Sequence, residues 1–136
     1  MPFITYPQAN GQVAIIIPTG DVNSCIKDVP AGLPYKIVES LNIDNDYFNA
    51  YEFDTEIGAI VNPDKAKAIW KDKWREARKP LLASLDIEFM KAVETSDSIK
   101  QAEIASKKQE LRDVTSTPIP GTTPEEIKAV WPEILN

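Results

Sequence analysis

Histidine is missing from this chain, and cysteine occurs once, as Cys25. A lone thiol cannot close an internal disulfide, and without imidazole most zinc sites and nucleophile–base pairs have nothing to build on. Cys25 is expected as a small, partly buried apolar residue rather than as a reactive thiol. There is no glycine-rich loop to cradle phosphate, no CxxC pair and no glycine-flanked serine. Long apolar runs are also missing: Ile15-Ile16-Ile17-Pro18 falls far short of the ~18 residues of a membrane span. The first residues lack the basic, apolar and small-residue succession of a signal peptide, so none is expected. Two carboxylates would suffice for glycoside hydrolysis, but so small a chain leaves little room for an aromatic-lined cleft. The expectation is a protein that is not an enzyme and needs neither cofactor nor metal.

Glycine is scarce as well, 5 against 11 prolines, which points to stiff connections between short elements. The 136 residues suit one domain, or one small domain with an appended arm, and 43% hydrophobic residues is ordinary for a globular protein. The formal charge of −6 is unevenly spread. Residues 1–62 hold Lys27 and Lys36 against Asp21, Asp28, Glu39, Asp44, Asp46, Glu52, Asp54 and Glu56, whereas residues 63–136 balance to zero. An acidic half repels phosphate backbones and the balanced half has no basic stripe, so nucleic acid is not an expected partner, nor is a membrane.

The first 61 residues read as a small antiparallel β domain. Gln12–Ile17 is β-branched between Asn10-Gly11 and Pro18-Thr19-Gly20, the pattern of a buried strand between turns. Phe3–Tyr6 is its partner across the Asn-Gly turn, confined to an edge by Pro7. Asp21 caps one or two helical turns over Asp21–Asp28, and Tyr35–Glu39 reads as a second core strand. Asn42, Asp44 and Asp46 alternate like calcium-loop ligands. The glycine and the closing acid of such a loop are replaced by Tyr47 and Phe53, so the segment is read as a turn or cap before a helical Tyr47–Tyr51. Those aromatics are expected in the core, and Phe53 with Ile57–Val61 forms a closing strand pair around Gly58.

Asn62-Pro63-Asp64 is a helix start: asparagine caps, proline suits the first turn and aspartate suits the positive end of the dipole. Beyond it Ala66, Trp70, Trp74, Ala77, Leu81, Leu82, Leu85, Phe89, Ala92 and Val93 keep one face of a helix, and the phase survives Pro80. A bent helix, or two nearly collinear ones, is predicted, with the bend at residues 76–80. Arg78 falls inside the apolar stripe, where it must pair with a carboxylate or snorkel past the tryptophans. Ser96-Asp97-Ser98 ends this arm and caps a sparser return helix, about Ile99–Val114, with a Glu103–Lys107 pair on its surface. Thr115–Gly121 is a linker, and Thr123-Pro124-Glu125-Glu126 opens a short helix ending near Trp131-Pro132. The fold class is therefore α+β, in three parts: 1–61 a β-rich domain, 62–115 a helical hairpin with a long proline-bent helix, and 116–136 a linker with a short carboxy-terminal helix.

Tryptophan and arginine are the residues protein interfaces use as anchors. Two patches stand out as partner-binding candidates: Trp70, Trp74, Arg75 and Arg78, and then Leu111, Arg112, Asp113 and Trp131. Packing inside the hairpin is the competing role, above all for Trp74 and Arg78.

Residues 75–86 read R-x-x-R-x-x-L-L-x-x-L-D, followed by Gln109-x-Leu111-Arg112-Asp113 and by Trp131-Pro132. This order resembles the phage tail assembly chaperone family of tailed bacteriophages and prophages, and VAIIIPTGD and DVPAGLPYKIV look like the leading part of similar tail proteins. Relatives often carry an aromatic residue shortly after the aspartate matching Asp86, and a tyrosine-arginine pair before the Leu-Arg-Asp element. Here those places hold Ile87 and Lys107-Lys108-Gln109. The resemblance implies a non-enzymatic chaperone in the host cytoplasm that binds a tail or receptor-binding fibre protein during assembly. The alternative it implies is a structural adaptor retained in the virion tail.

Overall fold

The computed structural model describes residues 2–136. It is α+β, with antiparallel strands preceding a long helix and its return. Two compact units are present: one reaches Ala66 and takes in Thr122–Pro124, and the other is Lys67–Gly121 with Glu125–Asn136.

In the first unit, β1 (Phe3–Pro7) lies between β2 (Val13–Ile16) and β3 (Lys36–Val38), antiparallel to both. The strand expected at an edge is thus the central one. Pro7 is tolerated because β3 reaches only Phe3–Thr5, so no ladder bond on that side is lost at Pro7. The burial follows the same reversal. Ile4 and Thr5 of β1 are fully buried, whereas on β2 only Val13 is, and Ile17 beyond it is exposed. β3 is half-buried throughout, so of the two predicted core strands β2 gives the core Val13 and β3 gives it no fully buried residue. Edge strands bury one flank of their backbone less, and this sheet has only one interior strand.

Asp21 caps a 3-10 helix over Val22–Asp28, its carboxylate accepting the Asn23 N–H at 3.0 Å, as its position in the sequence predicts. Asp44 does the same for a 3-10 helix at Asn45–Ala50, accepting from Asp46 N–H at 3.0 Å. Its carboxylate is a cap, and among the described residues no group of three or more acids, cysteines or histidines gathers around a possible cation. Tyr47, Ala50 and Tyr51 are buried, so two of the three aromatics expected in the core lie there, while Phe48 is only half-buried. Tyr51 is not helical, however. It opens β4 (Tyr51–Asp54), which pairs with β5 (Gly58–Val61) in the hairpin read from the sequence.

Asp54 accepts the Glu56 and Ile57 N–H groups at 2.8 and 2.9 Å to form that turn. These two donors hold its carboxyl below the usual carboxylate range. Gly58 has φ +90°, and a Cβ there would stand 3.0 Å from Val38 Cγ1 and 3.2 Å from Thr5 Oγ1. Glycine is therefore required twice over, by conformation and by space.

α1 (Pro63–Glu94) begins as predicted, the Asn62 side-chain oxygen accepting from Asp64 and Lys65 N–H at 3.0 and 3.3 Å. The Asn62 amide also donates to Glu52 Oε1 at 2.6 Å, with Lys65 Nζ 3.4 Å from the same oxygen. The Asn62 bond, then Lys65, draw the Glu52 carboxyl below its ordinary value.

In the second unit α1 runs on as a single helix through Pro80. Proline gives no N–H to the Glu76 carbonyl, but both residues are exposed, where water can serve the orphaned oxygen. α1 ends in a motif that the sequence hides: Asp97 N–H bonds to Ala92 O at 2.8 Å and Ser96 N–H to Val93 O at 3.1 Å, with Ser96 left-handed at φ 56°. This is a Schellman end built on serine where glycine is usual. Asp97 then caps α2 (Ser98–Asp113) through Lys100 N–H at 3.0 Å, so the hairpin turns within a few residues. α2 matches the predicted return helix to within a residue. Ile104 and Leu111 are its buried positions, and Val114 is buried just beyond its end.

Glu103 and Lys107 do not pair. The helix-surface ion pairs are Arg75–Asp72, Lys79–Glu76 and, between the two helices, Lys108–Asp86, with Lys108 also 5.7 Å from the centre of the Phe89 ring. The segment expected as a plain linker buries Ile119. α3 (Pro124–Lys128) starts where expected but stops short of Trp131, since Pro132 disfavours a helical Trp131. A 3-10 turn at Glu133–Leu135 follows, and Ile127 and Leu135 are buried.

Candidate functional site

The eight candidate residues all lie in the second unit, and the structure unites the two patches they form in sequence. Trp70 donates its indole N–H to the Val130 carbonyl at 2.8 Å and meets Trp131 edge-on, ring centres 5.6 Å apart at 62°. Val130 and Trp131, far along the chain, thus close on Trp70. Trp131 itself remains 37% exposed.

Arg78 is held by neither of the predicted routes. Its guanidinium donates to the Leu111 and Arg112 carbonyls at 3.2 and 3.0 Å, at the carbonyl end of α2. Those carbonyls have no partner within their own helix, and a cation is favoured there by the helix dipole. The half-buried arginine therefore acts as a cap supplied by the neighbouring helix. This explains the spacing of the two motifs: the Arg78 element and the Leu111-Arg112 element meet through backbone oxygens. Asp86 and Lys108 join the same two segments further along.

Trp74 is completely buried and its indole N–H meets no hydrogen-bond acceptor, so its place is held by packing. Leu111 is buried too. Neither offers surface to a partner in this conformation. Arg75 is exposed and paired with Asp72, Arg112 is exposed, and Asp113 accepts from the Gln109 amide at 3.0 and 3.1 Å.

The surface that sequence reasoning passed over is at the turn end of the hairpin. Ile87 is 59% exposed, Met90 62%, Val93 48% and, at the start of α2, Ile99 74%. Ala83, Ile87 and Met90 recur at i, i+4 and i+7, so they form a row on the face of α1 away from the buried stripe. The signal was available as an excess of apolar residues off the main stripe. No helix among the described residues is long and apolar enough to cross a membrane. No family model matches the chain, and no match was found among curated proteins or solved structures.

Proposed function

We propose that this protein is a non-enzymatic assembly chaperone for a phage tail or tail-fibre protein, acting in the host cytoplasm and docking its client on the turn end of the helical hairpin. The exposed apolar side chains Ile87, Met90 and Val93 near the end of α1, with Ile99 at the start of α2, carry the reading, because exposed apolar groups concentrated in one region are the ordinary mark of a protein-docking site. The motifs around Arg78, Asp86 and Leu111-Arg112-Asp113, together with the lack of histidine, support a scaffold for binding over a centre for catalysis. Methionine in the row suits a client surface that changes shape while it folds, since its side chain repacks readily.

Co-expression with the tail-fibre protein of the same phage tests this. The fibre should reach its soluble, assembled form only when the chain is present. Equal yield of assembled fibre without it would refute the proposal. Mass spectrometry of purified particles separates the chaperone from an adaptor retained in the virion: a chaperone is absent from them, an adaptor is present in stoichiometric amount.

A further inference from the structure

A second surface of the helical unit differs from the apolar row in both shape and charge. A groove of about 480 Å³ runs between the last turns of α2 and the carboxy-terminal segment. Val114, Pro132 and Ile134 supply its apolar wall, Gln109, Glu110 and Asp113 its polar one, and no basic side chain lines it. Glu110 has neither a hydrogen bond nor an ion pair with any described residue, and the Asp113 carboxylate receives only the Gln109 amide. Both acids stand in the last turn of α2, where the helix dipole disfavours negative charge. Arg112 shares that turn and the Arg78 guanidinium lies on the Leu111 and Arg112 carbonyls, but neither cation lines the groove or pairs with these two acids. Two carboxylates beside an apolar wall, with no basic side chain in the lining, complement a segment that brings its own positive charge.

We infer that this groove binds an extended peptide segment in which lysine or arginine alternates with aliphatic residues, the cation meeting Glu110 and Asp113 and the aliphatic side chain lying against Pro132 and Ile134. The inference rests on the chaperone reading for its source, a segment of the client, and adds the chemistry of that segment.

The probe is a short fluorescein-labelled peptide of alternating lysine and leucine, followed by anisotropy against the full chain. Its counterpart has glutamate for lysine. The variant Glu110→Gln/Asp113→Asn should weaken the lysine peptide by about tenfold or more, equivalent to ~1.4 kcal/mol. Glu39→Gln/Glu56→Gln changes the net charge equally at residues that do not line the groove, and should alter binding by less than about twofold, since exposed charges outside the contact are screened. Ile134→Ser should weaken binding without changing the circular dichroism spectrum. Equal loss in both charge variants, unchanged binding in the groove variant, or equally tight binding of the glutamate peptide would overturn the inference. So would sedimentation showing a wild-type dimer that Glu110→Gln/Asp113→Asn disperses, because the groove would then hold a second copy. Failure of the chaperone reading is distinguishable: fibre assembly that needs the chain yet tolerates the groove variant removes the groove alone. Peptide binding that persists when fibre assembly ignores the chain removes the chaperone role alone.

Discussion

At the end of the hairpin where α2 finishes, Trp74 is sealed from water, Arg78 holds the last carbonyls of α2, and Trp70 and Trp131 close edge to face. At the turn end the same two helices leave Ile87, Met90, Val93 and Ile99 largely in solvent. Both ends place large apolar side chains on the same two helices, aromatic at the first and aliphatic at the second. They differ also in cover. The carboxy-terminal segment meets Trp70 at the first end, and among the described residues none covers Ile87, Met90, Val93 and Ile99 at the second. Trp74, Arg78 and Leu111, which look like interface anchors in the sequence, are therefore taken up by packing and capping within the chain, while less conspicuous aliphatic residues stand in solvent.

Four variants would sharpen or break that contrast. Trp74→Ala should lower stability by ~3–5 kcal/mol, the range for an emptied aromatic core site, read from denaturant unfolding. A near-silent Trp74→Ala would move this residue from the core to the surface and reverse the assignment of the two ends. Arg78→Met keeps the aliphatic stem but removes two charge-assisted bonds to carbonyls, and should cost about 1.5–3 kcal/mol in the same measurement. If it costs nothing, the link between the two motifs is incidental. Ser96→Gly should stabilise the chain by ~1 kcal/mol, because it relieves a left-handed residue that carries a Cβ. A rise in the melting temperature checks this, and a fall would mean that the Schellman turn is misassigned. Ile87→Ser with Met90→Ser should leave stability within about 0.5 kcal/mol, as expected of exposed sites. A large loss would show that the turn end is covered within the chain itself.

Much of this was legible from residue order. Asn62-Pro63-Asp64, Asp21, Asp44 and Asp97 mark helix starts through side chains that reach their own neighbouring N–H groups, and local chemistry of that kind is readable one segment at a time. The Gly58 hairpin is similar, because glycine announces the positive φ. Strand order was not legible. Pro7 looked like an edge marker, and only the short reach of β3 shows why a central strand can end in proline. The place of Arg78 in the apolar stripe announces a need for a partner, but the partner is backbone, and no side-chain pattern advertises a free carbonyl. For the site, Trp70 and Trp131 were noticed separately. Their contact joins positions far apart in sequence, which periodicity within one helix cannot reveal.

The most direct test of the contrast between the two ends is co-purification of the tail-fibre protein with an Ile87→Ser/Met90→Ser/Val93→Ser variant, measured beside the variant's melting curve. Loss of the fibre protein with an unchanged melting temperature is the predicted result. Undiminished co-purification, with the variant equally well folded, would contradict it and return the client to another surface.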